Sequence, residues 1–145
     1  TWSHPRLTRV SKSKIRRELT RTTREITRVT GERPTIMRPP YGSQNAKVRR
    51  IARQQKLAVV TWDVDTNDWR HRSAKRTRDI AVKRTKRGSI ILMHDTHGST
   101  VDAVNGMIRK LKKRGFRFVT VSELMETKPG QHYCARGKKK CPEWD

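Results

Sequence analysis

The chain is short of acidic residues and of core-building residues. Asp and Glu number 13 against 36 Lys and Arg, a formal net charge of +23. Leu, Ile, Val and Phe together supply 27 of the 145 residues. High net charge with less than about 20% of these residues is a compositional mark of disorder, and by itself it argues against a well-filled core. No stretch approaches the roughly 18 consecutive apolar residues of a membrane-spanning helix, which excludes one. Aromatics are only 6% of the chain. Cysteine is absent except at Cys134 and Cys141, seven apart near the C-terminus. In an exported protein that pair reads as a local disulfide; otherwise it reads as two surface thiols or a weak metal pair. There is no signal peptide, and the chain begins at Thr1 rather than Met, as expected of a processed or truncated product. The length suits one domain.

The order of residues overrides the counts. Thr35 to Met37, Leu57 to Trp62, Ser89 to Met93 and Phe116 to Val121 are short, β-branched or aromatic, and carry one basic residue between them, Arg117. They read as buried strands. Basic segments of helical spacing lie between them. Ile15, Leu19, Ile26 and Val29 share one face, as do Val48, Ile51 and Ala52, and Val101, Val104, Ile108 and Leu111. Gly31, Gly88 and Gly115 stand where helix C-caps favour glycine, and Ser73 and Ser99 where N-caps favour serine. The spacing predicts an α/β fold: a parallel sheet or barrel covered by helices. From Thr127 the pattern stops, which predicts a basic C-terminal tail over 127–145.

In a βα barrel, functional side chains come from the C-terminal ends of strands. Arg38-Pro39-Pro40-Tyr41-Gly42 follows the first expected strand, Asp63 to Trp69 the second, and Leu92-Met93-His94-Asp95 closes the third. Ser3-His4-Pro5 precedes the first helix. Singly, each has an ordinary structural reading: a stiff Pro-Pro turn, a helix-capping Asp, a hydrogen-bonded His.

Together and in this order, Ser-His-Pro, Arg-Pro-Pro-Tyr-Gly, Asp-x-x-Asp-Trp and Leu-Met-His-Asp resemble the second to fifth motifs of the polysaccharide deacetylases. These are the NodB-homology domains of carbohydrate esterase family four. The resemblance runs from Thr1 to about Leu124, so residues 1–126 are taken as a partial domain of that kind. It implies the C-terminal part of a distorted (β/α) barrel. It also implies a secreted or cell-wall-associated, monomeric, metal-dependent hydrolase that deacetylates peptidoglycan, chitin or acetylxylan. The implied metal is divalent, with zinc preferred. Carried over by motif, His4 is a metal ligand. Arg38 orients the catalytic base, and Tyr41 donates its backbone N–H to the oxyanion. Asp68 hydrogen-bonds His94, the general acid, and favours its imidazolium. Trp69 and Leu92 wall the acetyl pocket.

The family's first motif, Thr-Phe-Asp-Asp, has no counterpart here, and the first His of its His pair would fall one position before Thr1. The chain therefore holds one of three expected metal ligands and no base, so on its own it is expected to be inactive and to be cut at its N-terminus. Among the remaining residues, Asp63 and Asp65 are expected to cap a helix or order loops, and Asp95 to be a structural partner near His94. His97 is expected to make a loop hydrogen bond, and His71 and His132 to lie on the surface. Trp62 is expected in the core, while Trp2 and Trp144 could stack on sugar. A competing reading is a basic module that binds polyanions or cell wall without catalysis. Because Lys and Arg are spread over every helix, the sequence shows no single nucleic-acid stripe, and no specific nucleic acid is expected.

Overall fold

A computed structural model describes residues 1–138 and 141. They fall into two compact units, one of Thr1–Thr61 with Glu126–Tyr133, the other of Trp62–Met125 with residues 134–138.

The first unit opens with a 3-10 turn, Leu7–Arg9, and the long helix α1, Lys12–Thr30. The Ser11 hydroxyl accepts from Lys14 N–H to start α1, and Gly31, at φ 75°, returns its N–H to Thr27 O to end it. Strand β1 (Ile36–Met37) leads through a 3-10 turn at Pro40–Gly42 to helix α2 (Ala46–Gln54), capped by Asn45. Strand β2 (Ala58–Val60) follows and pairs in parallel with β1, Ile36 opposite Ala58. A parallel pair needs such a crossover, and α2 supplies it. Leu7, Ile15, Leu19, Val48, Ile51, Leu57 and Val59 form one buried cluster joining α1, α2 and β2. Each large side chain so buried contributes about 1.5–3 kcal/mol.

Part of the segment expected as a tail belongs to this sheet. His132–Tyr133 form strand β5, parallel to β2 on the side away from β1, with Val59 opposite His132. Gly130, at φ 78°, makes the turn into it and donates its N–H to Leu57 O at 2.8 Å. Trp144 lies outside the described residues.

In the second unit, β3 (Val64–Asp65) and β4 (Ile91–Leu92) pair in parallel. The short α3 (Asp68–His71) and α4 (Ala74–Arg84) form the crossover between them, with Ser73 capping α4 as its position predicts. Helix α5 (Gly98–Lys113) packs on α4 through Ala81, Met107 and Leu111. A one-turn helix α6 (Val121–Leu124) carries a capping box between Thr120 and Glu123. Parallel strands joined through helices are the α/β class that the residue order predicts.

Four expectations are corrected. Residues 116–120 are not a strand. Phe118 and Val119 are 42% and 38% exposed, and no strand among the described residues pairs with them. Helix α5 begins at Gly98 with His97 as N-cap, so Ser99 lies inside it. Its buried face runs through Thr100, Ala103, Met107 and Leu111, leaving Val101 56% exposed. Ile26 and Val29 are exposed too, because the last turns of α1 outrun the core. Neither cysteine is free; Cys134 and Cys141 are both disulfide-bonded. No helix among the described residues is long and apolar enough to cross a membrane.

Candidate active site

The second unit builds one buried carboxylate with a full set of donors. Asp68, the first residue of α3, is wholly buried. Its Oδ2 accepts from His94 N–H at 2.7 Å and from the Thr100 hydroxyl at 2.8 Å. Its Oδ1 lies 2.9 Å from His94 Nδ1 and 3.2 Å from the Thr66 hydroxyl oxygen. Burial alone would raise the Asp68 carboxyl, but the hydrogen bonds from the His94 ring, the His94 N–H and Thr100 outweigh it and hold it below the usual range. An ionised carboxylate only accepts, so Nδ1 of His94 carries a hydrogen toward it. That leaves Nε2 as the ring nitrogen able to exchange a proton. The His94 side chain is one-third exposed, so it is reachable.

The surrounding loop is held by short bonds that the sequence hides. Thr66 Oγ1 donates to Leu92 O at 2.8 Å, tying the end of β3 to the end of β4. Asp65 Oδ1 accepts from Asn67 N–H, which fixes Asn67 in the left-handed region at φ 53°. His71 is not merely a surface residue. Its Nδ1 accepts from Ser73 N–H, and its Nε2 lies 2.9 Å from Thr66 O, so Nε2 is the protonated nitrogen. Trp69 is half exposed beside Asp68, while Leu92 is buried at the end of β4. Asp63 accepts from Ile90 N–H and Ser89 Oγ, and Asp65 from Trp62 Nε1, the loop-ordering roles expected for both. Trp62 is buried, as expected of a core residue. Asp95 is exposed and has no bond to His94. His97 makes no side-chain capping bond.

The first unit holds His4, Arg38 and Tyr41. His4 and Tyr41 meet edge to face, ring centroids 5.0 Å apart, and the Arg6 guanidinium lies 4.9 Å from the Tyr41 ring. Both His4 (φ 53°) and Tyr41 (φ 59°) occupy the left-handed region, which costs a non-glycine residue roughly 1–2 kcal/mol. Such strain clusters at functional sites. Gly42 and Ser43 send their N–H groups back to Pro39 O and Pro40 O, while the Tyr41 N–H has no acceptor among the described residues. Arg38 is exposed and has no partner among the described residues. Trp2 is half exposed under the Arg21 guanidinium at 3.8 Å.

Glu18 is the residue here that sequence reasoning missed. Buried in α1, it accepts from Ser3 N–H and Ser3 Oγ, both at 2.7 Å, and pairs with Lys14 at 2.9 Å. It thereby anchors the Ser3-His4 segment to the helix. The signal was available, because Glu18 is an acid set within the apolar stripe of a basic helix.

No group of three or more His, Cys, Asp or Glu among the described residues is placed to hold a metal ion. A catalytic zinc asks for three protein donors, and His4 supplies one imidazole. The residues present do not by themselves make a metal site.

The family model for polysaccharide deacetylase matches residues 1–60. Peptidoglycan-N-acetylmuramic acid deacetylase PdaC of Bacillus subtilis is 40% identical over 128 residues, covering 88% of this chain and 27% of the relative. Peptidoglycan-N-acetylglucosamine deacetylase PgdA of Listeria monocytogenes is 36% identical over 124 residues, covering 86% of this chain and 26% of its own length. Among solved structures, a T48 deacetylase with substrate matches at a TM-score of 0.85 and 39% identity, over 90% of this chain and 65% of that one. The chain thus spans about a quarter of the length of these curated relatives.

Proposed function

We propose that the chain belongs to the polysaccharide deacetylase family and carries the proton-donating part of a site that hydrolyses acetyl groups from a polysaccharide, with peptidoglycan as the substrate class. The observation that carries this reading is the Asp68–His94 pair: a buried, ionised carboxylate bonded to both the ring and the backbone of a reachable imidazole. In amide hydrolysis the tetrahedral intermediate collapses only when the leaving nitrogen gains a proton. His94, protonated and held by Asp68, delivers it from Nε2, the C–N bond breaks and acetate departs. Asp68 stabilises the charged ring and fixes its orientation. Trp69 and Leu92 flank this pair in sequence and suit the walls of a small acetyl pocket.

The family pattern gives Tyr41 N–H to the oxyanion, Arg38 to a carboxylate base, and His4 to a divalent metal, zinc by preference. These three roles rest on that pattern, and the free Tyr41 N–H supports the first. The pattern's base and its other metal ligands match no residue of this chain. We place them outside this sequence, and we take the 145 residues alone to be inactive. When bound, the metal would supply Lewis acidity. The peptidoglycan relatives and the disulfide-bonded cysteines support a secreted or wall-associated setting.

Acetate release tests the reading. The chain is joined at its N-terminus to a segment carrying Thr-Phe-Asp-Asp and the first His, then assayed with zinc on peptidoglycan and on acetylxylan. Release from peptidoglycan is expected, with little from the unjoined chain. Release from acetylxylan alone would overturn the substrate class.

A further inference from the structure

One groove in the first unit has no part in the chemistry above. It encloses about 740 Å³ along α1, closed by Arg33 and the end of α2. Arg16, Arg24, Arg28 and Arg33 line it, and no carboxylate among the described residues does. Among the described residues, Arg28 alone of these four is neutralised, by Glu25 at 2.6 Å. Arg16 and Arg33 are held instead by neutral groups. Arg16 donates to Gln54 Oε1 at 3.2 Å and Arg33 to Gln55 O at 3.1 Å. Arg24 has no partner among the described residues. The Arg16 and Arg33 guanidiniums are therefore positioned without being discharged, and their forked donors suit phosphate oxygens. The Thr27 hydroxyl, also in the lining, is enclosed and without a hydrogen-bond partner among the described residues.

We propose that this groove binds a phosphodiester polymer of the cell envelope and so holds the protein on the wall it acts upon. The length of the basic stripe favours a polymer over a single ion. From Arg16 to Arg28 the helix rises about 18 Å, enough for several repeating charges. No aromatic side chain among the described residues lines the groove, so they offer nucleic-acid bases no stacking platform there. The choice of an envelope polymer rests on the deacetylase reading; the anion site itself does not.

The test titrates the whole chain with poly(glycerol phosphate) over a range of salt, with no acetyl chemistry in the readout. Failure of the deacetylase reading and failure of this one are thereby separable. The variant R16Q/R24Q/R33Q is compared with R109Q/K112Q/K113Q on α5, which loses the same charge from exposed positions elsewhere. The groove variant should bind about tenfold more weakly or worse, with a log K against log salt slope shallower by about 2–3. The α5 variant should change by about twofold or less. Should loss of the Gln anchors unfold the groove variant, Arg24→Gln alone, at a residue with no partner to lose, should still cost about threefold. Equal losses in both triple variants would show that only bulk charge acts and would overturn the site. Binding of an oligo-dT strand as tight as the polymer, through the same arginines, would overturn the partner.

Discussion

Glu18 shows how much one side chain can decide in so basic a molecule. Burial pushes its carboxyl up, but the Ser3 N–H, then Lys14 and the Ser3 hydroxyl, prevail and hold it at about 2. A carboxylate depressed on folding contributes stability that is present above its unfolded value and lost as pH falls through its folded one. Glu18→Gln should therefore cost about 2–3 kcal/mol near neutrality and remove stability that the parent loses between pH ~4.5 and ~2. Urea denaturation against pH reads both. His132 works from the other side. Burial first, and then Arg49, lowers its pKa, while its Nε2 lies 2.8 Å from Thr61 Oγ1. Above pH ~6.5 neither folded nor unfolded chain carries that proton; below it the unfolded chain gains one that the folded chain resists. Stability should then fall as pH drops below ~6.5, and His132→Gln should flatten that fall. The motif residues His94 and Asp68 were legible in the sequence because the motifs that hold them resemble those of a known family. His132 was read as a surface residue because its partner lies 71 positions away. Thr66 and Thr100 were likewise invisible, since nothing local marks a threonine whose hydroxyl serves a distant group, Leu92 O for the first and the Asp68 carboxylate for the second.

At the scale of elements, the main helices and the caps Ser73 and Gly31 were legible, as were three of the five strands among the described residues. Residues 35–37, 57–62 and 89–93 contain β1, β2 and β4. Residues 116–121 have equally strong strand propensity but stay unpaired, because a strand is defined by its neighbour as well as by its side chains. The converse holds for β5, whose flanks Lys-Pro-Gly and Cys read as tail but which pairs with β2 once Gly130 turns the chain. A Cβ on Gly130 would lie 2.5 Å from Arg53 Cβ, at a φ of 78°. Gly130→Ala should cost about 1–3 kcal/mol and raise amide exchange in β5 before it does so in α1. Helix α5 offers the opposite case, since its N-cap His97 makes no capping bond. His97→Asn should raise stability by about 0.5–1 kcal/mol, measurable as a higher thermal midpoint.

Over the whole molecule, the scarcity of acid and of core residues takes a different meaning. Composition predicts disorder, yet each unit has a buried core, because the few apolar residues are placed at helical and strand spacing. The acids are few but concentrated where they are needed: Asp63, Asp65 and Asp68 order one loop, and Glu18 anchors another segment. Most of the positive charge stays on helix surfaces, where it can act on anionic surroundings. The central claim is that His94, held by Asp68, donates the proton that releases acetate. The most direct measurement compares acetate release from peptidoglycan by the N-terminally joined protein and by its His94→Asn variant, at saturating zinc. The account predicts a rate lower by about 10²–10⁴-fold with zinc affinity unchanged. Release at the parent's rate from the His94→Asn protein would contradict it.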